Sequence, residues 1–437
     1  MEIPKLNDLN AEHWNYIAEG NANIVIGYNG PYSEQLTGKV IRIQKKYVQK
    51  KDSTQDLADI LLYKRFIEGI IQPILTSKLI DPGIIVKLNT KFIEEIKQKI
   101  NPKRPEYRKK IANISTEFNL CNVQQDYTQG ILNKESSAEC LCVELKPKMG
   151  FIINTPFMRE EYNLRKKISH FQMVERTKMK KGLSSKISGY EPLELFSNDK
   201  EQIFKSIQDL LNTPNINLRL FYCSKLIFGG CYYKEENDQN PLLSINNLLK
   251  TINPFCGDLD NLKELIYQAF EKTQALQKLL NLQKMDTLDI DGLIHIWNRL
   301  KKEEIELEEW KHFVGNTENC ENLKLLIMET LAGIEENNRK IPQTIEELNK
   351  LSIEECKRYI QEFLIAGAAK DCSIMITFQK TNQKQLSEKS IKLGENGPYF
   401  DFNLAIIDME PRPIERIEKY YDLFPKIVKD YIEIEKK

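Results

Sequence analysis

Hydrophobic and polar positions follow two rhythms along this chain, and the changes between them outline its organisation. Asn23-Ile24-Val25-Ile26-Gly27-Tyr28 is short and β-branched, Asn29-Gly30-Pro31 interrupts it, and Lys39-Val40-Ile41-Arg42-Ile43 resumes it, which predicts two strands around a turn. Over residues 54–72 the apolar side chains Leu57, Ile60, Leu61, Phe66 and Ile70 recur at helical spacing. Ser53 or Thr54 would cap that helix and Pro73 would stop it. A second, more polar helix is predicted over 90–100, and further strands over 118–123 and 138–145. From 241 to 369 the pattern is overwhelmingly helical. Leu276, Leu279 and Leu280 share one face there, and Leu323, Leu325, Leu326, Met328, Leu331 and Ile334 pattern another segment. Strand signals return at 373–378 and 402–407, and 417–434 closes as a helix. No internal repeat or low-complexity tract interrupts this order. The pattern predicts an α+β protein with a smaller N-terminal part, 1–145, and a larger part, 146–437, that holds a helical insertion at about 241–369.

Composition narrows the function classes. The chain has 437 residues, and its 63 basic and 63 acidic residues cancel. A generic nucleic-acid coat would be basic over its whole surface, so a polyanionic ligand is expected only at a local patch. Glu2, Lys5 and Asp8 leave no secretory apolar segment at the start, and Asp59, Lys64, Arg65 and Glu68 interrupt the most apolar early stretch, so no membrane span is expected. The nine cysteines are scattered, with only Cys140 and Cys142 close together, which predicts reduced thiols in a cytosolic or nuclear protein.

Several segments carry candidate chemistry. Glu19-Gly20-Asn21-Ala22-Asn23 puts a glycine and small residues before a strand, where backbone amides can approach phosphate oxygens and Arg42 could neutralise them; an ordinary hairpin turn reads the same way. In an extended Cys142-Val143-Glu144-Leu145-Lys146-Pro147-Lys148, the charges at 144, 146 and 148 would project to one side. That arrangement fits either a charged site or a solvated edge strand. Basic residues cluster at Arg165-Lys166-Lys167, Arg176, Lys178, Lys180-Lys181 and Lys186, a run that ordinarily marks a solvated helix face. Asn217 and Arg219 follow Pro214 as amide and guanidinium donors near a turn. Asp371 precedes an apolar strand and Asp408 ends one, positions suited to binding a metal or accepting a hydroxyl proton, and also to capping.

Taken in order, these segments resemble the inositol-pentakisphosphate 2-kinase family. Glu19-Gly20-Asn21-Ala22-Asn23 is similar to the family's nucleotide loop. Glu144-Leu145-Lys146-Pro147-Lys148 resembles its Glu-Ile-Lys-Pro-Lys signature, with leucine for isoleucine. Ser188-Gly189-Tyr190-Glu191-Pro192-Leu193-Glu194-Leu195-Phe196-Ser197 is similar to its Ser-x-Tyr-Asp-Pro-Leu-Asp-Leu-Phe-Ser stretch. Asn217-Leu218-Arg219, Lys370-Asp371-Cys372-Ser373 and Asp408-Met409-Glu410 resemble three further blocks. The resemblance implies a two-lobed inositol phosphate kinase that uses ATP and Mg2+ to phosphorylate the 2-hydroxyl of inositol pentakisphosphate.

Position by position, the resemblance implies nucleotide contacts from Gly20, Asn21, Ala22, Asn23, Arg42, Asp126, Tyr127, Glu144, Arg219 and Asp408. Tyr127 stands where the family has histidine. Lys146 would lie at the transferred phosphoryl group, and Asp371 would face the acceptor hydroxyl. Inositide contacts would come from Lys148, Lys178, Asn217, Arg412, Arg416 and Tyr420, with Arg104 or Arg108 supplying another; spacing to Lys146 favours Arg108. Asp408 would bind the metal, with Glu410 in reach. Plant members of the family carry a zinc site that includes a Cys-x-x-Cys. None occurs here, and His295, His312, Cys320 and Cys356 lack ligand-like spacing, so structural zinc is not expected. The expected partners are small molecules, with no membrane or nucleic acid; the protein is expected to be a monomer, in the cytoplasm and also in the nucleus. The competing readings are an inactive inositide-binding protein and, further off, a nucleic-acid binder using the Arg165–Lys186 cluster.

Overall fold

The computed structural model describes residues 6, 9–20, 23–47, 56–114, 116, 119–130, 139–234, 239–303, 317–381 and 387–436. Asn21, Ala22 and His312 therefore lie outside the described residues. The fold is mixed α+β and is organised by two antiparallel sheets.

The first sheet comprises β1 (Trp14–Glu19), β2 (Asn23–Tyr28), β3 (Lys39–Tyr47), β4 (Ile84–Lys87), β5 (Ala112–Ile114) and β6 (Leu120–Gln125). Its order is β1-β2-β3-β6-β4, with β5 paired to β3. Three helices accompany it: α1 (Asp56–Phe66), α2 (Thr90–Ile100) and α3 (Glu106–Ile111). Asn89 caps α2 by accepting from the Lys91 N–H at 2.8 Å. The apolar stripe of α2, Phe92, Ile93, Ile96 and Ile100, is buried against Trp14, Ile24, Ile26, Ile41, Ile43 and Val86. Each such side chain contributes about 2 kcal/mol by leaving water.

α1 does not stop at Pro73. It passes through a π turn at Ile67–Ile71 and ends one helical turn later, at Leu75. Proline lacks an N–H and clashes with the carbonyl four residues back. The wider turn lets Pro73 start a fresh helical turn, where neither handicap matters. Phe66 to Ile80 then pack into the larger core rather than the first sheet's own.

The second sheet contains β7 (Cys140–Leu145), β8 (Leu218–Tyr222), β9 (Lys225–Gly229), β10 (Ser373–Thr381), β11 (Ser390–Lys392) and β12 (Tyr399–Ile407), in the order β11-β12-β10-β7-β8-β9. β7 is fully buried between β8 and β10. The edge-strand reading of that segment is thereby corrected: the strand is central and ends at Leu145, so Lys146 and Lys148 stand beyond it. Around this sheet lie α4 (His170–Lys180), α5 (Lys200–Asn212), α6 (Ile245–Cys256), α7 (Leu259–Thr273), α8 (Ala275–Gln283), α9 (Asp289–Lys302), α10 (Thr317–Glu335), α11 (Ile345–Lys350), α12 (Ile353–Ala369) and α13 (Arg416–Glu435). α6 to α12 form the helical insertion. Leu276, Leu279 and Leu280 are buried as their spacing predicts, whereas Leu325 and Met328 on α10 are exposed. The apolar stripe of that helix is narrower than the sequence suggests, with Leu323, Ile327 and Leu331 facing inward. No helix among the described residues is long and apolar enough to cross a membrane.

Alternation decides what the second sheet offers. Leu141, Val143, Leu145, Leu218, Leu220, Ile374, Ile376 and Phe378 pair in register and face the large core. The residues between them therefore face the other way, and they include Cys142, Glu144, Arg219, Phe221, Ser373 and Met375. That second face, with the loops at its rim, carries most of the candidate residues.

The basic segment is largely spent within the fold. Arg165 is buried against Asp289 at 2.7 Å and Asp291 at 3.4 Å. Arg176 pairs with Glu435 at 2.8 Å, and Lys180 bridges Asp430 and Glu433. Arg176 and Lys180 thus tie α4 to α13, and Arg165 ties the segment before α4 to the insertion, rather than presenting an open cationic stripe.

Candidate active site

Four chain segments distant in sequence meet beyond the ends of the second sheet's central strands. The turn after β7 carries Lys146 and Lys148. Lys146 donates its N–H to the Asn217 carbonyl at 2.8 Å, and its ammonium donates to the Ser373 hydroxyl at 2.9 Å. Lys148 takes a left-handed conformation with φ of 62°, which costs a non-glycine residue about 1 kcal/mol. That turn aims its ammonium at Asp371, whose Oδ1 accepts at 3.1 Å. The other Asp371 oxygen accepts from Arg412 at 2.7 Å. The carboxylate is thus bracketed by two cations. Burial works against its charge, but Lys148, Arg412 and Lys146 outweigh it and hold the Asp371 carboxyl down at about 2.

The surrounding field is positive. Burial, then the charge of Lys146 and Lys178, push the Lys148 ammonium below the usual lysine range, although Asp371 opposes the shift. His170 at the start of α4 is pushed down to about 3 by burial, then by Arg165, Lys370, Lys148 and Lys178. Lys178, on the same helix, is steadied by buried Glu175 at 2.7 Å. Glu175 also accepts from the Asn215 amide at 3.1 Å. Asn217 is 1% exposed, and neither its side-chain oxygen nor its nitrogen has a partner. A buried amide left unpaired costs about 1–3 kcal/mol, so it marks a place where a polar ligand group is favoured. Arg416 opens α13, and Tyr420 lies one turn on with its ring edge-on to Phe363, centroids 6.3 Å apart.

A second cluster joins the two sheets. Arg42 of β3 forms a close ion pair with Asp408, which follows β12 at a φ of 62°. Burial disfavours the guanidinium charge, yet Asp408 overrides it and raises the Arg42 pKa. Asp408 in turn is lowered despite its burial, chiefly by Arg42 and then Lys146. Glu410 goes the opposite way, raised by burial and by its neighbour Asp408, while accepting from the Asn23 amide at 3.0 Å. On the sheet face itself Glu144 and Arg219 lie directly cross-strand and pair at 3.1 Å. Cys142, Phe221 and Met375 form a small apolar cluster there, with Tyr127, Leu226 and Ile407 against it.

Other candidates are engaged by partners of their own. The Asp126 carboxylate is consumed in its own turn, accepting from the Thr128 N–H at 2.9 Å, the Thr128 hydroxyl at 2.6 Å and the Gln129 amide at 2.9 Å. Gly20 lies in the β1–β2 turn, where its N–H bonds to the Asn23 carbonyl at 2.9 Å. Its own carbonyl accepts from Lys45 at 2.6 Å and Arg108 at 3.4 Å. Arg104 is buried and engaged by Glu19, Asn113 and the Ala112 carbonyl.

The chain that carries this site has recognisable sequence relatives. The sequence model of the inositol-pentakisphosphate 2-kinase family matches residues 16–423. The chain belongs to the inositol-pentakisphosphate 2-kinase family. It is 30% identical to the inositol-pentakisphosphate 2-kinase of Arabidopsis thaliana, over 98% of this chain and 94% of that one. It is 26% identical to the inositol-pentakisphosphate 2-kinase of Oryza sativa subsp. japonica, covering 99% and 96%, and 26% identical to that of Danio rerio, covering 99% and 95%. Membership in a kinase family implies ATP and a small-molecule acceptor.

Three features escape sequence reading. Ser373, Glu175 and Gln283 hold Lys146, Lys178 and the backbone of Lys148 respectively. Gln283 left a faint signal as a polar residue on the core-facing side of a leucine-rich helix. Among the described residues no group of three or more His, Cys, Asp or Glu converges on a point. A magnesium ion needs fewer, since it takes one or two carboxylates plus phosphate oxygens. Asp408 and Glu410, two positions apart after β12, are the carboxylates here that could supply them; Glu410 is raised by burial and then by Asp408.

Proposed function

We propose that this protein is an ATP-dependent kinase that phosphorylates the 2-hydroxyl of inositol 1,3,4,5,6-pentakisphosphate, giving inositol hexakisphosphate and ADP. The observation that carries this reading is Asp371 held between Lys148 and Arg412 beside Lys146. Phosphoryl transfer passes through a loose transition state, so the protein's work is alignment and charge neutralisation. Several of these cations have a carboxylate partner: Lys148 and Arg412 share Asp371, Lys178 takes Glu175, and Arg42 takes Asp408, while Lys146 donates to the Ser373 hydroxyl. Substrate phosphates then replace those partners. Once Lys148 and Arg412 turn to phosphates, Asp371 is left to orient the acceptor hydroxyl, and its basicity rises as the cations move off.

Lys178, Asn217, Arg416 and Tyr420 would complete the inositide site, with Arg108 reaching it from the glycine turn. Lys146 would neutralise charge on the migrating group. Arg42 and Arg219 would hold nucleotide phosphates, with Gly20 to Asn23 cradling them. The apolar cluster beside Tyr127 suits an adenine ring, which needs a flat apolar floor. Magnesium at Asp408 and Glu410 would supply charge neutralisation to the nucleotide phosphates. In this reading the first sheet belongs to a nucleotide-binding lobe, and the part from about 146 onward binds inositide. The nine unbridged cysteines fit a reducing compartment, cytoplasmic and also nuclear.

The test is direct. Purified protein is incubated with ATP, magnesium and the pentakisphosphate, and products are separated by anion exchange. Equimolar hexakisphosphate and ADP are expected. Tight inositide binding without any turnover would replace the kinase reading with that of an inositide-binding protein.

A further inference from the structure

The corner of the helical insertion between α8 and α9 reaches the candidate site through Gln283 and, close by, Asp286. Gln283 closes α8 and is fully buried. Its amide oxygen accepts from the Gly150 N–H at 2.8 Å. Its amide nitrogen donates to the Lys148 carbonyl at 2.8 Å and to the Ala369 carbonyl at 3.2 Å. Ala369 is the last residue of α12, two positions before Asp371. One side chain therefore ties together the two backbone segments whose own side chains meet at Lys148 and Asp371. Three residues further on, Asp286 forms an ion pair with Lys370, beside Asp371. Asp286 also accepts from the Asp289 N–H at 3.1 Å, and Asp289 and Asp291 anchor to Arg165.

We propose that Gln283 is a positioning residue for the transfer reaction: its amide sets the backbone of the Lys148 turn against the end of α12, so that Lys148 and Asp371 face each other. The proposal rests on the kinase reading above. A glutamine that merely filled the core would need partners anywhere nearby. This one uses three of its four hydrogen-bonding positions on the two loops of the site and none on its own helix. The bonds also act where the chain needs holding. Lys148 sits at a positive φ, and the carbonyl of Ala369 is one of the orphans at a helix C-terminus. An amide donor shared between them fixes their separation. No apolar side chain of similar volume can do that. Displacement of a reacting group by about 1 Å costs up to ~100-fold in rate, so a small loosening here should be visible in turnover.

The experiment compares the full-length protein with Gln283→Met, which keeps volume and removes all three bonds, and with Gln283→Glu, which keeps only an acceptor for Gly150. Two readouts are used. Steady-state kinetics should show kcat about 10- to 100-fold lower in Gln283→Met, with a raised KM for the pentakisphosphate and an unchanged KM for ATP. Amide hydrogen exchange without substrate should rise at Gly150 and Asp371 in Gln283→Met but not in α2 or β3. Gln283→Glu should restore protection at Gly150 alone. A merely structural role would lower the thermal midpoint and free the Gly150 N–H but leave kcat, KM and exchange at Asp371 at wild-type values, and that result would overturn the proposal. A wild-type protein with no transferase activity would remove the kinase reading, and the exchange measurements would still decide whether Gln283 orders the two loops.

Discussion

Replacing Asp371 by asparagine separates two roles that its carboxylate combines. The carboxylate now serves as counter-ion to Lys148 at 3.1 Å and Arg412 at 2.7 Å, and in the proposed reaction it orients the acceptor hydroxyl and takes its proton. Its fall from the ordinary 3.8 to about 2 corresponds to about 2.5 kcal/mol of favourable charge interaction. The side chain is 55% exposed, and screening reduces that figure to about 1 kcal/mol. Asparagine gives up this interaction in the free protein, so Lys148 and Arg412 turn to incoming phosphates at lower cost. Inositide affinity should therefore hold or tighten, by up to about fivefold. Turnover should fall at least ~100-fold, because the amide accepts no proton. Calorimetric titration with inositol hexakisphosphate reads the first effect, and initial rates across pentakisphosphate concentrations read the second. Wild-type turnover in Asp371→Asn, or a large loss of affinity with kcat intact, would refute the reasoning.

Other perturbations test other parts of the site. Lys146→Met should lower kcat more than it raises KM for the pentakisphosphate, and the reverse pattern in steady-state rates would make it only a binding residue. Asp408→Ala should abolish most magnesium-dependent turnover and release Arg42 from its partner; full activity across a magnesium titration would exclude the metal role. His170 titrates near 3 in the folded protein and near 6.5 unfolded, so between those values the unfolded chain binds more protons and stability rises with pH. Urea midpoints should show stability lost at about 1 kcal/mol per pH unit below 6.5, and His170→Asn should flatten that slope. Gly150→Ala would drive a methyl group into the Phe196 ring, with an expected loss of about 1–3 kcal/mol in thermal unfolding and a displaced Lys148 turn.

Local rhythm made much of the fold legible in advance. The strands at 23–28 and 39–43, the helix at 90–100 and the strands at 373–378 and 402–407 all form where side-chain periodicity places them, because exposure of one face is a property of neighbouring residues. The blocks around Gly20, Glu144 to Lys148, Asn217, Asp371 and Asp408 also carried the family likeness without any structure. The failures share a cause. Pro73 reads as a stop, but a π turn just before it absorbs the missing hydrogen bond. Glu144 to Lys148 reads equally as an exposed edge, because a run of charges does not reveal whether other strands lie on both sides. The sequence likewise does not show that the turn at Asp126 uses both carboxylate oxygens, a local fact that leaves its proposed place beside the nucleotide untouched.

By itself, then, the sequence determined the elements, the α+β class and the family, since each depends on residues near one another in the chain. Tertiary structure alone decided that Lys148 meets Asp371 across 223 positions, that Arg42 meets Asp408 across 366, and that a glutamine from the insertion holds the first pair's backbone. Coulombic attraction and hydrogen bonding act over a few ångströms of space, whatever the length of chain between the partners. Only the folded path brings such groups within that range.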